Sequence, residues 1–130
     1  MGKLEKYFDL PDLSNITKEI KISDRLGEIA IRAISEPTLQ EIRKRSKLTL
    51  DNSEEAQGNG KFNLLIMQAG MIDPDFSNAD FLMKVGYETP TDFVLNKFLP
   101  GEIATVANNI MQLSGFDMGI NERVKEAKNS

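Results

Sequence analysis

Two heptapeptides constrain this chain more than any other feature: ITKEIKI (16–22) and EIAIRAI (28–34). Both alternate. Ile16, Lys18, Ile20 and Ile22 share one face of the first, with Lys18 the polar exception, and Thr17, Glu19 and Lys21 share the other. In the second, Ile29, Ile31 and Ala33 share a face. Two period-2 runs around SDRLG (23–27), a turn-rich break ending in glycine, predict a β-hairpin. A hairpin alone is marginal in water, so the rest of the chain must cover its apolar face.

That remainder has helical periodicity. The first fifteen residues mix charge with Leu4, Tyr7, Phe8, Leu10 and Leu13, and Pro11 halts any helix there; a short helix or a strap laid on the domain is expected. Ser35 and Pro37 begin a helix over 37–48, with Ser35 as candidate N-cap and Leu39, Ile42 and Leu48 on the apolar stripe. Residues 49–60, TLDNSEEAQGNG, are polar and glycine-containing, which predicts a mobile loop. KFNLLIMQAGMI (61–72) is apolar nearly all round, as a buried helix would be, and Pro74 ends it. Ser77 or Asn78 caps a short helix closed by Gly86, and Thr89 or Thr91 caps another that Pro100 stops.

The last strong helix begins at Pro100-Gly101-Glu102, its carboxylate in the first turn near the positive end of the dipole. Ile103, Val106, Ala107, Ile110 and Met111 follow amphipathic spacing, and Gly115 stands where a C′ glycine belongs. Residues 120–128 suggest a charged, fraying helix. The expected architecture is α+β: an N-terminal β-hairpin packed on a C-terminal bundle of about five short helices. One domain spans 1–130, divided into strap, hairpin and basic helix (1–48), loop (49–60), helical subdomain (61–119) and frayed tail (120–130). A chain of 130 residues buries about two-thirds of its surface on folding, enough for a real core.

The composition narrows the chemistry. Without cysteine there are no disulfides or thiolate metal sites, and without histidine the usual base near neutral pH and the commonest metal ligand are missing. Ser46 and Ser114 have no imidazole to activate them. Glu54-Glu55 lie in the expected loop, where solvent keeps carboxylates ordinary. GNGK (58–61) lacks the earlier glycine and following hydroxyl of a phosphate-binding loop, since Glu55 and Phe62 occupy those positions. Asp73-Pro74-Asp75 lacks the ligand count and closing Glu of a calcium loop. No enzyme, cofactor or metal is expected. The longest apolar run, LLIM (64–67), is far too short for a membrane span, and the start shows no signal peptide, so a cytoplasmic location is expected.

The net charge of −4 is uneven. Residues 1–72 carry 11 acidic and 11 basic side chains, whereas 73–130 carry 9 and 5, which accounts for the whole excess. Arg43, Lys44, Arg45 and Lys47 form the one basic cluster. It reads as a solvated face or a dock for an acidic protein segment; a small RNA- or nucleoprotein-associated regulator is the alternative. With no stacking aromatic beside it, nucleic acid is not the expected partner. Met67, Met71, Met83, Met111 and Met118 fill core gaps or furnish an adaptable binding surface.

The second half resembles a known family. The helix followed by Ile72-Asp73-Pro74-Asp75, the stretch NADFLMKVGYETPTDFVLNKFLPGEI (78–103), IMQLSGF (110–116) and the ending VKEAKN resemble the XkdN-like tail assembly chaperones of phages and prophages. The hairpin, the AISE segment and the basic helix fit less specifically. The resemblance implies a non-enzymatic chaperone that binds the tape measure protein, keeps its long helices soluble, helps recruit tail-tube subunits and is absent from the finished virion. It also implies that a longer form can arise by ribosomal frameshifting. Self-association is a further possibility, and a structural tail protein retained in the virion is the alternative. On that reading Phe93, Phe98, Leu99, Ile103, Val106, Ile110 and Met111 would line an exposed apolar groove for amphipathic client segments, unless the helix is simply core.

Overall fold

The structure is a computed structural model and describes residues 2–50 and 54–116, with the side chains of 47–50 and 54–59 left aside. Strand β1 (Thr17–Ser23) pairs antiparallel with β2 (Gly27–Arg32), with Ile20 opposite Ile29 and a register shift between Lys21 and Ser23. Gly27 adopts φ +78, a left-handed conformation that disfavours other residues at the turn. The alternation holds: Ile20, Ile22, Ile29 and Ile31 are buried, while Lys18, Glu19, Lys21 and Glu28 are exposed.

The hairpin gains a third strand. β3 (Met71–Asp73) pairs antiparallel with the free edge of β2, giving the order β1-β2-β3. The sequence reading expected helix through residue 72. The helix instead ends at Gly70, because the open backbone edge of β2 offers Met71–Asp73 ladder partners that a helix would leave unmade. The Asp73-Pro74 peptide is cis.

Helices follow. α1 (Glu36–Leu50) opens with Ser35, whose Oγ accepts from Thr38 N at 3.4 Å. α2 spans Glu54–Gly70. The expected loop over 49–60 is therefore mostly helix, with α1 running to Leu50 and α2 starting at Glu54. Glu54, Glu55, Ala56 and Gln57 are good helix formers, and each following glycine costs only ~1 kcal/mol in a helix whose next turns are anchored in the core. Residues 51–53, and the charged stretch 120–128 expected to fray, lie outside the described residues.

α3 (Ala79–Val85) is capped by the Asn78 side chain, which accepts from Phe81 N at 2.9 Å, and closes on Gly86 at φ +84. α4 (Pro90–Lys97) is capped by Thr89, which accepts from Asp92 N at 3.1 Å. α5 (Pro100–Leu113) is followed by Gly115 at φ +101, and Phe116 N donates back to Met111 O at 3.0 Å. The mixed α+β fold is as expected, and five helices follow the hairpin.

α5 lies between the sheet and α2, and α1 covers the other side of α2. Leu64, Leu65, Ile66 and Met67 of α2 are all buried in succession, since this helix has neighbours on several sides. Ser114 fastens the far end of the sheet. Its Oγ accepts from Ile34 N at 2.9 Å and donates to Ile110 O at 2.7 Å.

Candidate functional site

Three helices, α3, α4 and α5, carry most of the residues that a partner-binding groove would need. Rings hold α3 and α4 together. Phe93 packs on Phe76, Phe81 and Tyr87 with centroids 5.0, 5.0 and 5.8 Å away, and Phe76 meets Phe98 at 5.8 Å. Tilted and edge-on geometries such as these place ring edges against ring faces, which adds to plain area burial.

A polar clamp fixes this cluster to the hairpin turn. Glu102, in the first turn of α5, has a side chain 8% exposed and receives four hydrogen bonds. Arg25 grips it with Nε at 3.0 Å and Nη2 at 2.7 Å, Ser23 Oγ donates at 2.8 Å, and Leu99 N donates at 2.7 Å. Arg25 Nη2 also donates to Lys97 O at 2.7 Å, satisfying a carbonyl at the end of α4. The Arg25 hydrogen bond holds the Glu102 carboxyl below the usual carboxylate range; burial opposes that shift, and the donors Leu99 N and Ser23 Oγ reinforce it. The sequence placed Glu102 at the helix N-terminus. It held no signal for Arg25, 77 residues away, as its partner.

Most of the expected groove is interior. Val106 and Ile110 are fully buried, and Phe98, Ile103 and Met111 are nearly so. They face α2 and the sheet, so the α5 stripe is core of this chain; the amphipathic pattern reports a buried face without saying who covers it. Phe93 is partly buried as the hub of the ring cluster. Leu99 stands apart: it is 58% exposed at the α4–α5 corner, and Leu95, which the sequence did not single out, is 57% exposed four residues before it. Met83 on α3 is exposed too.

The basic cluster projects from α1. Arg43, Lys44 and Arg45 are exposed, and the side chain of Lys47 lies outside the described residues. Ser46 is buried with its Oγ donating to Ile42 O at 2.9 Å, and Ser114 is a structural fastener, so both serines serve packing. Among the described residues no group of three or more carboxylates is placed to hold a metal, and no helix is long and apolar enough to cross a membrane.

Comparison with known proteins gives two findings. A family model described as Phage XkdN-like tail assembly chaperone protein, TAC, matches residues 4–128. Among solved structures, the crystal structure of the protein yqbn is similar, with a TM-score of 0.58 and 21% identity over 77% of this chain and 85% of that one. At that identity the likeness speaks for the fold alone. No curated protein matches.

Proposed function

This chain belongs to the XkdN-like phage tail assembly chaperone family, and from that premise we propose that it binds the tape measure protein, keeps that protein soluble and helps recruit tail-tube subunits. The match over residues 4–128 is the observation that carries the reading. The protein works by contact, without turnover of a substrate, in the host cytoplasm, and leaves before the virion is complete.

The client surface proposed is the α4–α5 corner. Of the seven side chains expected to line a groove, Leu99 keeps its exposure, and Leu95 in the last turn of α4 is exposed as well. The ring cluster behind them and the Arg25–Glu102 clamp beside them make the corner a rigid platform, which lowers the ordering cost of binding. Two leucines on a small platform suit a reversible contact, because a chaperone must release its client.

Co-expression with the tape measure protein of the same phage or prophage tests this. Soluble, co-purifying tape measure protein is the expected outcome, with a clear loss for the Leu95→Glu/Leu99→Glu variant. A tape measure protein that stays insoluble, or that is rescued equally by that variant, overturns the proposal or its surface respectively. Tail-tube subunits added to the purified pair should join it. Mass spectrometry of finished particles should not detect this chain.

A further inference from the structure

The N-terminal arm, residues 2–15, has no buried residue. Leu4, Tyr7, Phe8, Leu10 and Leu13 are 46–72% exposed. Five large apolar side chains uncovered within ten residues form a patch of the kind that marks a contact surface. Leu4, Tyr7, Leu10 and Leu13 recur every third residue; Leu4 and Tyr7 lie on the 3₁₀ helix Lys3–Tyr7, in which positions i and i+3 eclipse, and Leu13 opens a second one, Leu13–Asn15. Asp9 and Asp12 are interleaved with them.

The root of the arm sits at one end of a furrow. Leu13 and Ser14 line a hollow of about 270 Å³ together with Arg32, Thr38 and Ala69. Thr38 and Ala69 also line a second hollow of about 460 Å³ between α1 and α2, with Ile42 and Leu65 among its walls and Arg45 beside them. Ile42 and Leu65 are core residues, so the walls are apolar at depth; Arg32 and Arg45 are among the lining residues, and Arg32 Nε donates to Ala69 O at 3.4 Å. Glu41 is the acidic residue among the same walls.

We propose that the arm is a strap with two positions, the open one seen here and a closed one in which it lies along the α1–α2 furrow of its own chain. The reach suffices: from Thr38 to Arg45 is about 10 Å along a helix, whereas the seven residues from Leu4 to Leu10 extend to roughly 23 Å. Charge agrees at the root, since Asp12 precedes Leu13 and would run beside Arg32. The occupant is the chain's own arm rather than a second copy because a short tether gives a local concentration on the order of millimolar, above any ordinary protein concentration. Closing removes two apolar surfaces from water at once. Opening presents both, and that consequence for a client rests on the proposed function, whereas the docking itself does not.

The chain has no cysteine, so Lys6→Cys and Lys44→Cys provide clean sites, outside the furrow walls, for a donor–acceptor pair of short transfer range matched to the reach of the arm. Energy transfer is measured at sub-micromolar concentration, without client, and compared with the same pair in an arm whose Leu4, Tyr7, Phe8 and Leu10 are serine. Circular dichroism confirms that both proteins fold. The expected result is at least twofold higher transfer efficiency with the native arm, unchanged by tenfold dilution or by excess unlabelled protein. Equal efficiencies in the two arms overturn the proposal. So does efficiency that falls on dilution or with unlabelled protein, which would seat a second copy in the furrow.

Discussion

Replacing Gly70 with alanine should destabilise this protein, although alanine is the better helix former. Gly70 is the last residue of α2 and is buried where α2 crosses α5. A Cβ placed on it would stand 2.7 Å from both Cδ1 and Cγ2 of Ile110 and 2.9 Å from its Cγ1. Such distances are closer than carbon atoms tolerate, and the neighbour cannot swing away, because a β-branched side chain in a helix is held to one dominant χ1 rotamer. Gly70 does not have a positive φ, so close approach alone explains it. Overpacking of this kind costs about 1–3 kcal/mol, against which the helix preference returns at most ~1 kcal/mol and less at a helix end. The net loss is about 1–2 kcal/mol, or roughly 3–8 °C in Tm for a chain of this length. Thermal and urea unfolding of Gly70→Ala, Ile110→Ala and the double variant measure it. Ile110→Ala alone should cost about 2–5 kcal/mol, and the double variant should lose less than the sum by about 1 kcal/mol or more, since the new methyl enters the space that the isoleucine vacates. A Gly70→Ala protein as stable as the parent, or strict additivity in the cycle, would refute the close approach of α2 and α5.

Three further outcomes are expected. Ile110→Glu should unfold the protein or lower its stability by about 4 kcal/mol or more, because it places a carboxylate at a fully buried position, and circular dichroism would register the loss; a folded, stable variant would return α5 to the role of an open groove. Leu95→Glu/Leu99→Glu should instead leave Tm within about 2 °C of the parent, since both side chains are exposed and the Leu99 backbone N–H that serves the clamp is kept, while client solubilisation drops. The third concerns the clamp. Glu102 has its folded pKa depressed, so its contribution is present above the ordinary carboxylate value and disappears as pH falls through the folded pKa. Tm of the parent should therefore exceed that of Glu102→Gln at pH 7, and the gap should close as pH drops below the reference value of 4.5. A gap that is constant down to strong acid would mean that the Arg25–Glu102 charge pair contributes nothing of its own.

What the sequence determined by itself was the local chemistry. Alternation over 16–34 specified the hairpin and its buried face, and the caps Ser35, Asn78, Thr89 and the glycines at 86 and 115 marked helix ends, because such signals act within a turn or two of chain. The apolar stripe of α5 was equally legible as a stripe. Tertiary structure decided its meaning: Val106 and Ile110 vanish against α2 and the sheet, so the face expected to receive a client is already occupied, and exposure survives at Leu95 and Leu99 instead. The third strand was invisible for the same reason, since Met71–Asp73 leave the helix only because the edge of β2 lies open beside them. So was the grip of Arg25 on Glu102, which joins residues 77 apart. Periodicity shows that a face must be covered, and capping shows where an element stops. Which surfaces meet is set by the packing of the whole chain, where each apolar face takes whatever neighbour the folded topology brings against it.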